Sequence, residues 1–157
     1  MNRKQQGFSL VEMMAAMIVV LILSAGGVSA WQQWQAQQRL DQTARQIRTW
    51  LTLLRNDANW HNHDHQVRLQ RNGEMWCLVS NGSTGEPCLK GTTFQFMSEW
   101  PDIRLAELTE GLAFYGLRNS AWPGHIRICN RAGERLVVSS VWGRIRIVDT
   151  QGEAVCQ

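Results

Sequence analysis

One long apolar stretch stands out near the N-terminus, where residues 8–30 hold a single charged side chain, Glu12. An α-helix over such a stretch is long enough to cross the hydrocarbon core of a bilayer. Arg3 and Lys4 precede the stretch, and basic residues on one flank keep that flank in the cytoplasm. The pattern predicts one transmembrane segment over residues 8–30, with the rest of the chain on the outer side of the membrane.

The apolar pattern becomes intermittent after residue 30, with apolar side chains three or four positions apart and Gln or Arg between them. This spacing places the apolar side chains on one stripe of a helix. We expect the helix to continue over residues 31–60 as an amphipathic segment, which must bury its stripe against another element. The stripe consists of Trp31, Trp34, Leu40, Ala44, Ile47, Leu51, Leu54 and Ala58.

The pattern changes again at His65, from helical spacing to short apolar runs separated by turn signals. The connections are too short for crossover helices, so the strands are expected to pair antiparallel. This predicts a lollipop-like α+β fold, with a long N-terminal helix packed on an antiparallel β-sheet head over residues 61–157. The candidate strands are residues 66–70, 75–80, 93–97, 112–115, 126–130, 136–140 and 144–148, and the turns are Asn72-Gly73, Asn81-Gly82, Ala132-Gly133 and Trp142-Gly143.

The junction before the apolar stretch, Gly7-Phe8-Ser9-Leu10-Val11-Glu12, resembles the prepilin leader and methylation motif of type IV pilins and type II secretion pseudopilins. In that family a membrane peptidase cuts after the glycine and methylates the new N-terminus. The resemblance implies a leader peptide of residues 1–7, cleavage between Gly7 and Phe8, and N-methylation of Phe8. A secretory signal cut before Trp31 is the alternative, but the unbroken helical pattern and the charge of Glu12 disfavour it.

Glu12 lies four residues beyond Phe8, or about 6 Å along a helix that rises 1.5 Å per residue. A carboxylate without a partner at this depth in a membrane would be costly or would take up a proton. Our hypothesis is that Glu12 pairs with the amine of Phe8 on an adjacent subunit, or on its own chain before assembly. Such a pair would register one helix against the next in a filament. The alternative is a carboxylate that is solvated at headgroup depth.

The C-terminal region carries a second resemblance. A strand ending in Val138-Ser139 leads through a turn into Gly143-Arg144-Ile145, as at the end of the H-type minor pseudopilins and related minor pilins. Segments such as residues 76–80 and 114–119 are similar to the enterobacterial prepilin peptidase-dependent proteins. These families are low-copy subunits that help to start or cap a filament. The implied partners are the prepilin peptidase and methyltransferase, other minor and major pilins, and an inner-membrane assembly platform.

The formal net charge of the chain is +3, and loss of residues 1–7 leaves 14 basic against 13 acidic side chains. Near-neutrality gives no overall argument for nucleic acid as a partner. Between residues 118 and 146, however, six arginines stand against one acidic residue, Glu134, which suggests a local basic surface. We interpret alternating arginines such as Arg144 and Arg146 as the solvated face of a half-buried sheet.

Cys77, Cys88, Cys129 and Cys156 all fall in the part predicted to lie outside the cytoplasm, and their even number suits an oxidising compartment. Four cysteines allow three pairings. We expect Cys77 to pair with Cys88 across a turn-rich loop, and Cys129 to pair with Cys156, which would tie the tail to a strand. A zinc site is the competing use, but the spacing offers no Cys-x-x-Cys pair.

The run His61-Asn62-His63-Asp64-His65 raises the question of a metal site, because alternate residues on a strand share one face. We expect three solvated imidazoles on a loop instead, with no metal and no cofactor. The serines, histidines and aspartates form no recognisable nucleophile-elbow, metalloprotease or phosphate-loop signature. We therefore expect no catalytic residues and no enzymatic activity.

These observations favour a minor type IV pilin that helps to initiate or prime assembly of a pilus. Residues 8–30 would anchor it in the inner membrane, and the disulfide-bonded head would lie in the periplasm. The first alternative is a minor H-type pseudopilin of a type II secretion system, since both machines share the leader, the helix and the peptidase. A DNA-binding or adhesive pilus subunit is a further alternative.

Overall fold

The computed structural model describes residues 9–73, 75–80, 88, 92–117, 119–149 and 156, except for the side chains of Ala25, Gly26 and Asn72. The chain forms two compact units, Met1–Gln35 and Ala36–Gln157. The elements are α1 Leu10–His61, β1 His65–Asn72, β2 Met75–Ser80, β3 Gln95–Met97, β4 Arg104–Leu108, β5 Ala113–Tyr115, β6 Ser120–Trp122, β7 Gly124–Asn130, β8 Gly133–Ser139 and β9 Ile145–Asp149.

The first unit contains the N-terminal part of α1. Ser9 precedes the helix, and its carbonyl oxygen accepts hydrogen bonds from the backbone N–H groups of Glu12 and Met13 at 3.0 and 3.2 Å. The helix contains a window with a mean hydropathy of 2.2, so by length and composition it can cross a membrane. Near the end of this unit Trp31 and Trp34 are exposed and pack on each other, with ring centroids 5.1 Å apart.

The second unit begins with the remaining turns of α1, which bury one stripe of side chains. Six of these were predicted from their spacing, and Ala36 extends the stripe by one turn. The six predicted residues form one core with apolar side chains of the strands. Full burial of a Leu or Ile side chain stabilises a fold by about 1.5–3 kcal/mol, so this stripe holds the helix firmly on the head. The predicted and buried residues are Leu40, Ala44, Ile47, Leu51, Leu54 and Ala58.

Two antiparallel sheets complete the second unit. One has five strands in the order β3-β2-β1-β5-β6, and the other has four in the order β4-β7-β8-β9. The antiparallel α+β fold predicted from the sequence is confirmed. The strand pattern had indicated one sheet, because the spacing of apolar residues does not show where a run of strands divides between sheets.

Strands β4 and β6 were not predicted. Strand β6 has only three residues and is followed directly by Pro123, a residue that does not continue a ladder because it lacks an N–H group. Strand β4 has a register shift between Leu105 and Glu107, which interrupts the alternation by which strands are recognised. Both strands are therefore defined by their pairing with β5 and β7 and not by a local pattern.

Aromatic side chains fill the core beside the helix stripe. Phe96 lies near both Trp50 and Trp76, with ring centroids 6.2 Å apart in each pair. The Nε1–H group of Trp50 donates to the Thr93 carbonyl oxygen at 3.2 Å, and that of Trp76 donates to the Ile103 carbonyl oxygen at 2.8 Å. These bonds satisfy indole N–H groups that burial would otherwise leave unpaired.

Two disulfide bonds cross-link the head, in the pairs chosen from the sequence. Cys77 is bonded to Cys88 with a Cα–Cα distance of 6.1 Å, and Cys129 is bonded to Cys156 with a distance of 5.9 Å. Both distances lie in the ordinary range for disulfides. A cross-link of this kind stabilises a small domain by about 2–4 kcal/mol.

A polar cluster joins the end of α1 to β1 and β2. Nε2 of His65 lies 2.7 Å from Oδ2 of Asp57, and its Nδ1 lies 2.8 Å from Oγ of Ser80. Nδ1 of His61 lies 2.9 Å from the other carboxylate oxygen of Asp57. The expectation of solvated imidazoles is therefore wrong for His65, which is only 2% exposed. Its burial is tolerated because both ring nitrogens have partners.

Folding lowers the pKa of the Asp57 carboxyl group in this cluster. Its hydrogen bond with His65 lowers the pKa of Asp57 from the ordinary value of 3.8; burial acts against this shift, and the charges of His61 and His65 add to it. A carboxylate whose pKa is lowered by folding stabilises the fold above its unfolded pKa. That contribution is lost as the pH falls through the folded pKa.

The end of α1 is also held by a close backbone contact. A Cβ atom added to Gly116 would lie 2.5 Å from the carbonyl oxygen of Ala58 and 2.7 Å from Cα of Asn62. Asn119 lies nearby with a φ of 46°, and its Oδ1 accepts a hydrogen bond from Nδ2 of Asn59 at 3.1 Å. The turn between β5 and β6 thus packs directly on the helix backbone, at a distance that only glycine permits.

We predict that Asp57→Asn lowers the free energy of unfolding by about 1 kcal/mol at neutral pH, because a hydrogen bond to an ionised group is lost. The difference from the original chain should shrink as the pH falls below 3.8, where the carboxylate is protonated on unfolding. Denaturant unfolding of the full chain in detergent micelles at a series of pH values measures this. Glu110→Gln, at an exposed position, is the control; equal pH dependence in both variants would contradict the assignment.

We predict that Gly116→Ala lowers the free energy of unfolding by about 1–3 kcal/mol, because the new methyl group must displace backbone atoms of α1. Leu117→Ala is the matched control, since the Leu117 side chain is 84% exposed in the same turn and its loss should change stability by less than about 0.5 kcal/mol. Thermal unfolding of both variants measures the difference. Equal melting temperatures would show that the turn does not press on the helix.

Candidate functional site

The first candidate site is the start of α1, where the sequence placed the processing and assembly residues. Gly7 and Phe8 lie outside the described residues. Glu12 lies in the first turn of the helix, and its side chain is exposed. A carboxylate in this turn is stabilised by the backbone N–H groups and the dipole of the helix N-terminus. Its exposure leaves it accessible to a positive group on another chain.

The side chains that follow Glu12 form an apolar surface on every side of the helix. Each described residue from 13 to 34 is exposed in the structure, and most of these residues are large and apolar. Water is a poor environment for a contiguous surface of this size. A helix that is apolar all round is suited to a lipid bilayer or to the centre of a bundle of similar helices.

The cluster of Asp57, His65 and Ser80 contains the residue types of a catalytic triad. Its burial decides against that use: Ser80 is 3% exposed and His65 is 2% exposed, so no substrate can reach the hydroxyl group. When Nε2–H of His65 donates to the carboxylate of Asp57, Nδ1 of the neutral ring is free to accept from the hydroxyl group of Ser80. The geometry describes a structural link between helix and strands.

The histidine run does not converge on a metal position. His61 and His65 both contact Asp57, and His65 has its second ring nitrogen engaged by Ser80. Among the described residues no group of three or more His, Cys, Asp or Glu side chains is arranged to hold a metal ion.

Part of the predicted basic surface is paired with acidic side chains. Nε of Arg135 lies 2.7 Å from Oδ1 of Asp41 on α1 and 3.0 Å from Oδ1 of Asp149 on β9. Arg127 lies 3.4 Å from a carboxylate oxygen of Glu107, and 3.9 Å from one of Glu134, which is buried. These arginines hold neighbouring elements together and are not free to bind another molecule.

A second group of arginines lines an open groove in the head. The groove has a volume of about 960 Å³, and its rim includes Arg48 and Arg55 of α1 together with Arg144 and Arg146 beside or in β9. No acidic residue is among its described lining residues. Trp142 lies at the groove and is 80% exposed. The sequence indicated Arg144 and Arg146, but Arg48 and Arg55 reach the same groove only through the packing of α1 on the head.

The comparisons with known proteins bear on both the N-terminal segment and the fold. Residues 2–28 match the family model described as the prokaryotic N-terminal methylation motif. No curated protein matches the chain in sequence, so the resemblance to the enterobacterial prepilin peptidase-dependent proteins stays a prediction.

Two solved structures are similar to the chain. One is the minor pseudopilin EpsH from the Type 2 Secretion System of Vibrio cholerae, with 15% identity, a TM-score of 0.50, and coverage of 70% of this chain and 96% of that chain. The other is the type IV minor pilin FimU of Pseudomonas aeruginosa PAO1, with 15% identity, a TM-score of 0.53, and coverage of 74% and 92%. The chain thus carries a prokaryotic N-terminal methylation motif, and its fold is similar to that of these two subunits.

Proposed function

We propose that this chain is a minor type IV pilin that helps to prime assembly of a pilus. The observation that carries the proposal is the combination of the methylation motif, an N-terminal part of α1 whose described side chains are exposed and mostly apolar, and the β-rich head that follows α1. A subunit with such a helix can be stored in a membrane and then packed into a filament of similar helices. The prepilin peptidase would remove residues 1–7 and methylate Phe8.

In this proposal residues 8–30 cross the inner membrane, residues 31–60 continue the helix outside it, and residues 61–157 form a periplasmic head. The two disulfide bonds support a location in an oxidising compartment. Glu12 would pair with the amine of Phe8 on a neighbouring subunit. The partners would be the peptidase, other minor and major pilins, and the inner-membrane assembly platform, and the work would be assembly and not catalysis.

A minor pseudopilin of a type II secretion system is the alternative. One observation, the similarity to solved structures, favours it as strongly as it favours the pilin. The TM-score is 0.50 for the pseudopilin and 0.53 for the pilin, and the sequence identity is 15% in both cases. The shared fold supports both machines equally.

We expect deletion of the chain to abolish or strongly reduce surface pili and to leave type II secretion unchanged. Electron microscopy of surface filaments and an assay for release of a secreted enzyme, made on the same cells, measure this. The chain restored from a plasmid is the control. Blocked secretion with normal pili would overturn the pilin assignment in favour of the pseudopilin, and normal results in both assays would overturn assembly as its function.

We expect Glu12→Gln to reduce incorporation of the chain into filaments by about tenfold or more, because one partner of a desolvated charge pair is lost. Glu99→Gln, at an exposed position of the head, is the matched control and should be incorporated normally. Immunoblots of purified filaments, normalised to the amount of mature subunit in the membrane, measure the ratio. Normal incorporation of Glu12→Gln would refute the pairing of Glu12.

A further inference from the structure

The arginine-lined groove runs beside the free edge of a sheet. Among the strands of the described residues, β9 is the last of its sheet and pairs with β8 alone. The backbone N–H of Ser140 donates to the carbonyl oxygen of Arg144 at 3.1 Å, and hydrogen-bonded pairs alternate along an antiparallel ladder. The backbone groups of Ile145 and Ile147 therefore point away from β8, and no described backbone group pairs with them. This edge can accept another strand.

Among the described residues, the four arginines at this edge have no acidic partner. Arg39, Arg127 and Arg135, by contrast, form ion pairs with carboxylates. Nε of Arg55 is buried without a hydrogen-bond partner among the described residues, and Nη2 of Arg55 reaches only Oδ1 of Asn119, at 3.4 Å. Four guanidinium groups in one groove repel each other, and an anion among them would relieve that repulsion. The groove is thus electrostatically unsatisfied. These four are Arg48, Arg55, Arg144 and Arg146.

The spacing of these arginines suits an extended chain. Arg144 and Arg146 are two residues apart, so their side chains share one face and their Cα atoms are about 7 Å apart along the strand. An added strand presents its own side chains at the same repeat. Val138 and Val148 also line the groove and offer contact for the aliphatic parts of a peptide.

We propose that this groove binds an extended acidic segment of another protein, which adds to β9 as a further strand. Main-chain hydrogen bonds to Ile145 and Ile147 would give affinity, and carboxylates at alternate positions would select the segment through the arginines. A second copy of this chain is disfavoured at this edge, because arginines would then face arginines. That the segment belongs to a neighbouring filament subunit rests on the proposed function; the binding itself does not.

Nucleic acid is the competing occupant, since arginines also neutralise phosphates and an exposed tryptophan can stack on a base. The structure favours peptide for two reasons. The unpaired backbone of β9 has hydrogen-bonding groups spaced for a strand, and a phosphate backbone cannot match them. The described lining of the groove also includes one tryptophan, Trp142, which gives little of the stacking platform that single-stranded nucleic acid uses.

Binding can be tested with the full chain in detergent micelles and a panel of fluorescent eight-residue peptides with glutamate at every second position. We expect members of the panel to bind the original chain. The double variant Arg144→Ala/Arg146→Ala should bind them about tenfold more weakly than the original chain does. Added salt should weaken binding. Arg104→Ala, an exposed arginine on β4 at the opposite edge of the same sheet, should bind normally. N-methylation of the backbone amides along the edge of the peptide that faces β9 should remove binding, because strand addition needs those N–H donors.

Several results would overturn the proposal. Absence of arginine-dependent binding across the whole panel would do so, provided that the double variant and Arg104→Ala retain the original melting temperature. Strand addition would be excluded if peptides N-methylated along either edge bound as tightly as the unmethylated peptide. A duplex or single-stranded oligonucleotide that binds more tightly than every peptide, with the same dependence on Arg144 and Arg146, would assign the groove to nucleic acid.

A charge reversal in cells separates this inference from the proposed function. We expect Arg144→Glu/Arg146→Glu to reduce filaments as strongly as deletion does, while Arg104→Glu does not, with mature protein present in the membrane at equal amounts. If deletion removes filaments but the double reversal does not, the groove inference fails and the pilin function stands. If deletion leaves filaments intact, the proposed function fails, and the peptide measurements still decide whether the groove binds an acidic strand.

Discussion

The head depends on the burial of one stripe of α1 against two antiparallel sheets. Each sheet has an apolar face that must be covered, and the same helix covers both in a single core. Polar links lie near both ends of the stripe. At one end Nδ2 of Asn130 donates to the carbonyl oxygen of Ala36 at 2.7 Å, and at the other Asp57 contacts His65. Apolar burial supplies the stability, and these bonds fix where along the helix the sheets sit.

The charges of the head serve two different purposes. Arg127 and Arg135 contact carboxylates on neighbouring elements and hold sheet and helix in register. The arginines of the groove have no such partners among the described residues, although Arg146 and Arg135 belong to strands that lie side by side. The formal net charge of +3 therefore conceals a strongly uneven distribution of charge. What distinguishes the two groups is the placement of a few acidic residues, and composition does not reveal it.

Much of this structure could be read from the spacing of apolar residues. The helix stripe from Leu40 to Ala58 and seven of the strands follow from periodicity, because burial imposes a repeat of 3.6 or 2 on the sequence. Strands β4 and β6 could not be read in this way, since one is irregular and the other has three residues. The burial of His65 and the groove could not be read either. Both arise where α1 meets the strands, and contacts between distant residues leave no local pattern.

The hydrogen bond from Asn130 to Ala36 has a mechanical consequence. Ala36 is the first residue of α1 that belongs to the compact head. A force applied at Ala36 along the axis of the buried part of α1 enters the sheets here and runs parallel to the buried stripe. The stripe then resists in shear, with all its contacts loaded together, and is not peeled away one contact at a time. Survival under such a load is governed by the rate of unfolding and not by equilibrium stability alone.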